Sequence, residues 1–187
     1  MNNTICLINH FLIAMPQLND PHFFHSVSYI CQHDAEGALG VIINRPLDMR
    51  LHEVFEQLDI DNQDARLAEQ PIYFGGPVQP NHGFVLHRPG REWDGTLKIS
   101  DEIALTTSSD ILRDIAHHHG PGETLIALGY AGWGAGQLEQ EMAQNAWLSV
   151  PANASIIFDL PFEQRWRAAA SLLGIDLTLI SGEVGHA

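Results

Sequence analysis

The chain has 187 residues, enough for one domain with a real core. With 45% apolar and 17% charged residues, it reads as a folded protein rather than a disordered one. Its net charge of −14, from 23 acids against 9 basic residues, argues against phosphate backbones and anionic membranes as direct partners.

The elements follow in order. His10 to Ala14 is an apolar strand candidate, and Asn19-Asp20-Pro21 a turn or helix start. Ser26 to Cys31 alternates, with Val27, Tyr29 and Cys31 on one face, as a strand does. Asp34-Ala35-Glu36-Gly37 turns the chain into a second strand, Leu39 to Ile43, which Asn44-Arg45-Pro46 stops. Leu51 to Leu58 has helical spacing. Asp59 to Gln70 is a loop with a helical turn. Short strands are expected at Pro71 to Phe74, Gly83 to His87, Thr96 to Ile99 and Ile103 to Thr106. Asp110 to His119 reads as a helix with Ile111, Leu112, Ile115 and Ala116 inward. Thr124 to Tyr130 is a strand. It feeds four glycines at 129, 132, 134 and 136, and a helix-forming stretch then runs to Trp147. Ala146 to Val150 and Ser155 to Phe158 read as strands. Pro161 opens a helix that Gly174 closes, and Leu177 to Ile180 reads as a last strand. Hairpins mixed with βαβ candidates predict an α/β protein with a mixed sheet and helices packed on it.

Location and cysteine chemistry are bounded too. No apolar run reaches the ~20 residues of a membrane span. Met1-Asn2-Asn3-Thr4 lacks the basic start of a signal peptide, so the cytoplasm is the expected location. Cys6 and Cys31 form no CxxC and read as buried, reduced thiols.

Familiar catalytic patterns fail in this chain. A dinucleotide fingerprint from Gly134 meets Glu139 at its third small position, and a P-loop from Gly129 meets Ala135 where lysine is required. His52-Glu53 begins a zinc-protease motif, but Glu56 occupies the second histidine position. His117-His118-His119 point in different directions on a helix and read as its C-terminal cap. His22 and His25 have helical metal-ligand spacing without an evident third ligand. Glu139 and Glu141, two apart on a helix, diverge, and Glu139 is a candidate partner for Arg45. Trp133 and Trp147 read as core or rim aromatics. No metal and no cofactor are expected.

Several segments together resemble one family. They are Phe11 to Pro16, Ala38-Leu39-Gly40-Val41-Ile42-Ile43-Asn44-Arg45-Pro46, Tyr73-Phe74-Gly75-Gly76-Pro77-Val78, the stretch 129–147, and Phe158-Asp159-Leu160-Pro161. This combination, spread over nearly the whole chain, is similar to the YqgE/AlgH family of uncharacterised bacterial proteins. The resemblance implies an α/β fold with a larger three-layer part and a smaller two-layer part, as one domain over 1–187. It implies no catalytic residue. Some family members carry the label of transcriptional regulator.

Two functions are weighed. The first is a regulatory or binding module that acts through an unidentified protein partner or small ligand rather than by binding DNA directly. The second is a hydrolase or transferase for a small polar ligand, held in a cleft of Arg45, Gly75-Gly76 and the 129–139 glycine turn. The candidate binding residues are Asn44, Arg45, Gly75, Gly76, Gly132, Trp133, Gly136, Glu139 and Asn145. At each glycine the alternatives are room for a ligand and room for the protein's own backbone.

Overall fold

The computed structural model describes residues 5–180. Strands β1 (His10–Ala14), β2 (Val27–Asp34), β3 (Gly37–Ile42) and β4 (Pro46–Arg50) come first. Helices α1 (Leu51–Gln57) and α2 (Ala65–Ala68) follow, then β5 (Pro71–Phe74), β6 (Val78–His87), β7 (Thr96–Lys98) and β8 (Ala104–Thr106). The chain continues through α3 (Asp110–Ala116), β9 (Thr124–Gly134), α4 (Gln137–Ala143) and β10 (Trp147–Pro151). It finishes in α5 (Ala154–Phe158), α6 (Phe162–Ser171) and α7 (Leu177–Ile180).

The fold is α/β. The strands form one ten-stranded sheet in the order β10-β1-β2-β3-β9-β6-β8-β7, with β5 joined to β9 and β4 to β5. All the strand pairs are antiparallel except β5–β9. The sheet is therefore mixed, but βαβ units are not its organising principle.

Side-chain alternation distributes the core over both faces. Phe11, Ile13, Val27 and Tyr29 face α5 and α6, while Leu12, Ala14 and Ile30 face α4. On β9, Leu125 and Ala127 join the first group, and Ile126 packs with α1 and α3 on the opposite face. Beyond Gly129 the parity reverses: Tyr130 packs on the α5–α6 core, whereas Ala131 and Trp133 join the α4 side. Gly129, at φ +74°, makes the irregular step that resets the strand.

Two expected strands are helices. Ser155 to Phe158 lies in α5, because the Asn153 side chain accepts the Ser155 amide at 3.0 Å and nucleates a turn. Leu177 to Ile180 is the short α7. A third correction concerns β9. It runs through Gly129 and Gly132 to Gly134, so the expected strand-to-helix turn comes four residues late. Cys31 is buried as expected, but Cys6 is exposed.

Candidate functional site

The Gly75-Gly76 pair lies where the chain crosses its own sheet. β5 and β6 flank β9 on opposite sides, and only residues 75–77 join them. Two strand spacings are about 10 Å, and four Cα steps reach at most ~14 Å, so the link runs nearly straight across β9. A Cβ on Gly75 would overlap the Gly129 carbonyl, and one on Gly76 the Tyr130 carbonyl. A Cβ on Gly129 would overlap the Gly76 carbonyl in return. These three glycines make room for backbone.

Asn44 and Arg45 are tied to the loop before β2. The Asn44 Oδ1 accepts the Val27 amide and its Nδ2 donates to the His25 carbonyl, both at 2.9 Å. Arg45 donates from Nη1 to the carbonyls of Pro21, at 2.9 Å, and His22, and from Nη2 to that of Phe24, at 2.6 Å. His22 stacks on Phe74, and His25 is stacked against Phe24 and Trp166, so the two imidazoles serve different contacts. A second arginine, unremarked in the sequence, is buried: Arg165 donates from Nε to Leu160 O at 3.1 Å and from Nη1 to Ile43 O.

Glu139 does not meet Arg45. It accepts from His33 Nε2 at 2.7 Å, while His33 Nδ1 accepts the Leu7 amide at 3.1 Å. An Nδ1 that accepts leaves the proton on Nε2, so the pair fixes the tautomer. The His33 bond, after its own backbone amide, holds the Glu139 carboxyl below its ordinary range. His33 lies opposite Ala38. Arg45 lies beyond the end of β3, with its carbonyl accepting the Phe74 amide at 2.7 Å. The structure therefore brings Arg45, Gly75-Gly76 and Gly129 together at the backbone, while Glu139 lies apart from them on His33 and the Arg45 guanidinium is taken up by the loop before β2.

The remaining candidates surround α4. Gly136 precedes it at φ +72°, and Asn145 follows it at φ +57° with its amide on Met142 O at 3.0 Å. Both occupy left-handed positions that frame the helix. Trp133 is buried, and its indole donates to Glu141 Oε2 at 2.9 Å, the same oxygen that takes Trp147 Nε1 at 2.8 Å. Glu141 Oε1 also accepts Gln137 Nε2 at 2.9 Å.

Gly132 and Trp133 do border a cleft, one whose lining the sequence reading missed. It measures about 440 Å³ and lies on the α5–α6 face of β2, β3 and β9. Leu39, Tyr130 and Val78 give it an apolar floor, and Gln32, Asp34 and Glu36 a polar rim. Among the described residues no lysine, arginine or histidine lines it. Alternation along β2 and β9 hints at this face, but the irregular steps at Ile30/Gln32 and at Gly129 hide it from simple counting.

His87 belongs to a buried chain of hydrogen bonds. His87 Nδ1 donates to Arg88 O at 2.8 Å, leaving Nε2 to accept from Thr106 Oγ1 at 2.7 Å. Thr96 Oγ1 is 2.7 Å from Thr106 Oγ1 and accepts the Trp93 amide at 2.9 Å. The chain is satisfied at every step, and His87 and Thr106 are fully buried. His117 Nδ1 caps Arg113 O at 2.7 Å, a helix-end role. Among the described residues no group of three His, Cys, Asp or Glu converges as a metal set. No helix among them is long and apolar enough to cross a membrane.

The sequence pattern of the AlgH-like family matches residues 11–178. The chain belongs to that family. A UPF0301 protein of Thioalkalivibrio sulfidiphilus is 58% identical over 96% of each chain. One from Nitrosococcus oceani is 53% identical, covering 98% of this chain and 99% of its own. The solution structure of the AlgH protein from Pseudomonas aeruginosa superposes with a TM-score of 0.81 at 48% identity, over 100% of this chain and 99% of that one. A Corynebacterium diphtheriae protein shares the fold, with a TM-score of 0.76 at 19% identity, over 98% of this chain and 95% of that one.

Proposed function

We propose that this AlgH-like protein is a cytoplasmic binding module. Its protein partner lays a cationic, partly apolar segment on the open face of β2, β3 and β9. The observation that carries this reading is the composition of the cleft: an apolar floor with carboxylates at the rim and no cation. Val78 is 36% exposed, so the floor remains in contact with water. Covering such a floor releases water, and Asp34 and Glu36 favour basic groups over acidic ones.

Any regulatory role then runs through the partner. The net charge of −14 opposes a direct grip on DNA. Arg45, the cation needed for an enzymatic cleft, already donates to three backbone carbonyls.

The test is partner capture from the native host with the wild-type chain and with Gln32→Lys/Glu36→Lys, followed by mass spectrometry at low and high salt. A partner should be held by the wild type, lost on charge reversal and weakened by salt. The same proteins held equally by both forms would refute the reading. In parallel, duplex DNA titrated at low salt should bind weakly and release on adding salt. Tight, sequence-specific binding would overturn the proposal.

A further inference from the structure

A second cavity lies on the opposite face of the sheet. It arises from a mismatch in the β6–β9 ladder. Val78 pairs with Tyr130 and Gly83 with Leu128, so residues 79–82 stand opposite Gly129 alone. They arch out of the ladder, with Gln79 at φ +48°. Behind the arch a pocket of about 430 Å³ opens onto the core under α1 and α3.

Gly83 is the reason the pocket is empty of protein. It shares a strand face with Val85, which is buried in that core. A Cβ at Gly83 would meet nothing within 4 Å. The position is one where an ordinary strand would place a core side chain, and here the space is left open. Val54, Leu58 and Leu128 form the apolar wall.

Polar groups gather at the mouth. Ser109 and Thr107 contribute hydroxyls, Asn81 an amide and His82 an imidazole, and among the described residues no Lys, Arg, Asp or Glu lines the pocket. Ser109 precedes α3 at the position where serine usually caps a helix, yet its side chain makes no cap hydrogen bond. Ser109 and Asn81 are both exposed at the mouth, and among the described residues neither side chain has a partner within the protein.

We infer that this pocket binds a small uncharged molecule with an apolar body and one hydrogen-bonding head. The body takes the place of the side chain missing at Gly83, and the head meets Ser109 and Asn81. The volume lies in the lower part of the ~300–1,000 Å³ range of small-molecule sites. An ionised head would lose water with no lysine, arginine or carboxylate among the lining residues to replace it.

The probe is octan-1-ol, titrated into the full chain labelled with ¹⁵N, with octanoate as the charged counterpart. Octan-1-ol should give saturable amide shifts confined to Gly83, Leu58, Leu128 and Ser109. Octanoate should bind at least ~tenfold more weakly, because its carboxylate would give up water where no lysine or arginine among the described residues lines the pocket. Gly83→Leu should fill the space, abolish the shifts and leave the melting temperature unchanged or higher. Gly83→Ala, which adds only a methyl group in open space, should weaken binding severalfold in a fully folded protein. The inference fails if the shifts do not saturate, fall elsewhere, respond equally to octanoate, or persist in both folded variants. The rim substitutions Gln32→Lys/Glu36→Lys lie on the other face and should leave octan-1-ol binding unchanged, so this site and the partner surface stand or fall separately.

Discussion

At the scale of single residues, the glycines of the 129–136 stretch divide by what touches them. Gly129 combines φ +74° with a Cβ position occupied by the Gly76 carbonyl. Gly129→Ala should cost about 2–4 kcal/mol, from the left-handed penalty and the displaced backbone, or yield no folded protein. At Gly132 a Cβ would sit 3.3 Å from a Tyr130 ring carbon, a contact that a small ring movement relieves. Gly132→Ala should therefore change stability by less than ~1 kcal/mol. Urea unfolding of the two variants side by side decides it, and equal losses would contradict the assignment. Glu141 is a second discriminating residue. Glu141→Ala strips the acceptor from two buried indole N–H groups, which should cost about 2–4 kcal/mol. Near-UV circular dichroism of the folded variant should report loosened Trp133 and Trp147. A variant as stable as the wild type would show that those indoles find other partners.

At the scale of elements, legibility followed periodicity. α3 could be read because Ile111, Leu112, Ile115 and Ala116 mark one helical face, and all four are buried. The β2–β3 hairpin was legible for a similar reason, alternation ending in Asp34-Ala35-Glu36-Gly37. α5 was misread because Ser155-Ile156-Ile157-Phe158 is short, apolar and β-branched, a composition that suits a strand. The deciding residue is Asn153, whose cap lies outside the apolar run. In α6 the apolar positions Ala169 and Ala170 are buried, but Leu173 beyond its end is exposed and the polar Arg165 is buried. A buried arginine held by two backbone carbonyls carries no local sequence signal. The cleft was illegible because its lining joins β2, β3, β6 and β9, and two irregular steps shift the alternation that would mark a common face.

At the scale of the whole molecule, stability should depend on pH through the buried His87 and the half-buried His25. Burial pulls His87 below its ordinary value and does the same to His25. In the unfolded chain these groups take up protons near pH 6.5. The unfolded state therefore binds more protons below that pH, so stability present above about pH 6.5 declines as the pH falls through it. Urea midpoints at pH 7.5 and 5.5, above the carboxylate range, should show this decline. His87→Gln should be less stable at both values but show a shallower slope. A slope unchanged by the substitution would remove His87 from the account. The crossing of residues 75–77 over β9 governs a different property, the order of assembly. β3, β5 and β6 all precede β9 in the chain, yet each pairs with it. On the ribosome, β5 and β6 emerge with the gap between them vacant, and neither can find its central neighbour until residues 124–130 have left the exit tunnel. The two halves of the sheet are closed by one late strand, and until it docks their edges remain open to pairing with other chains.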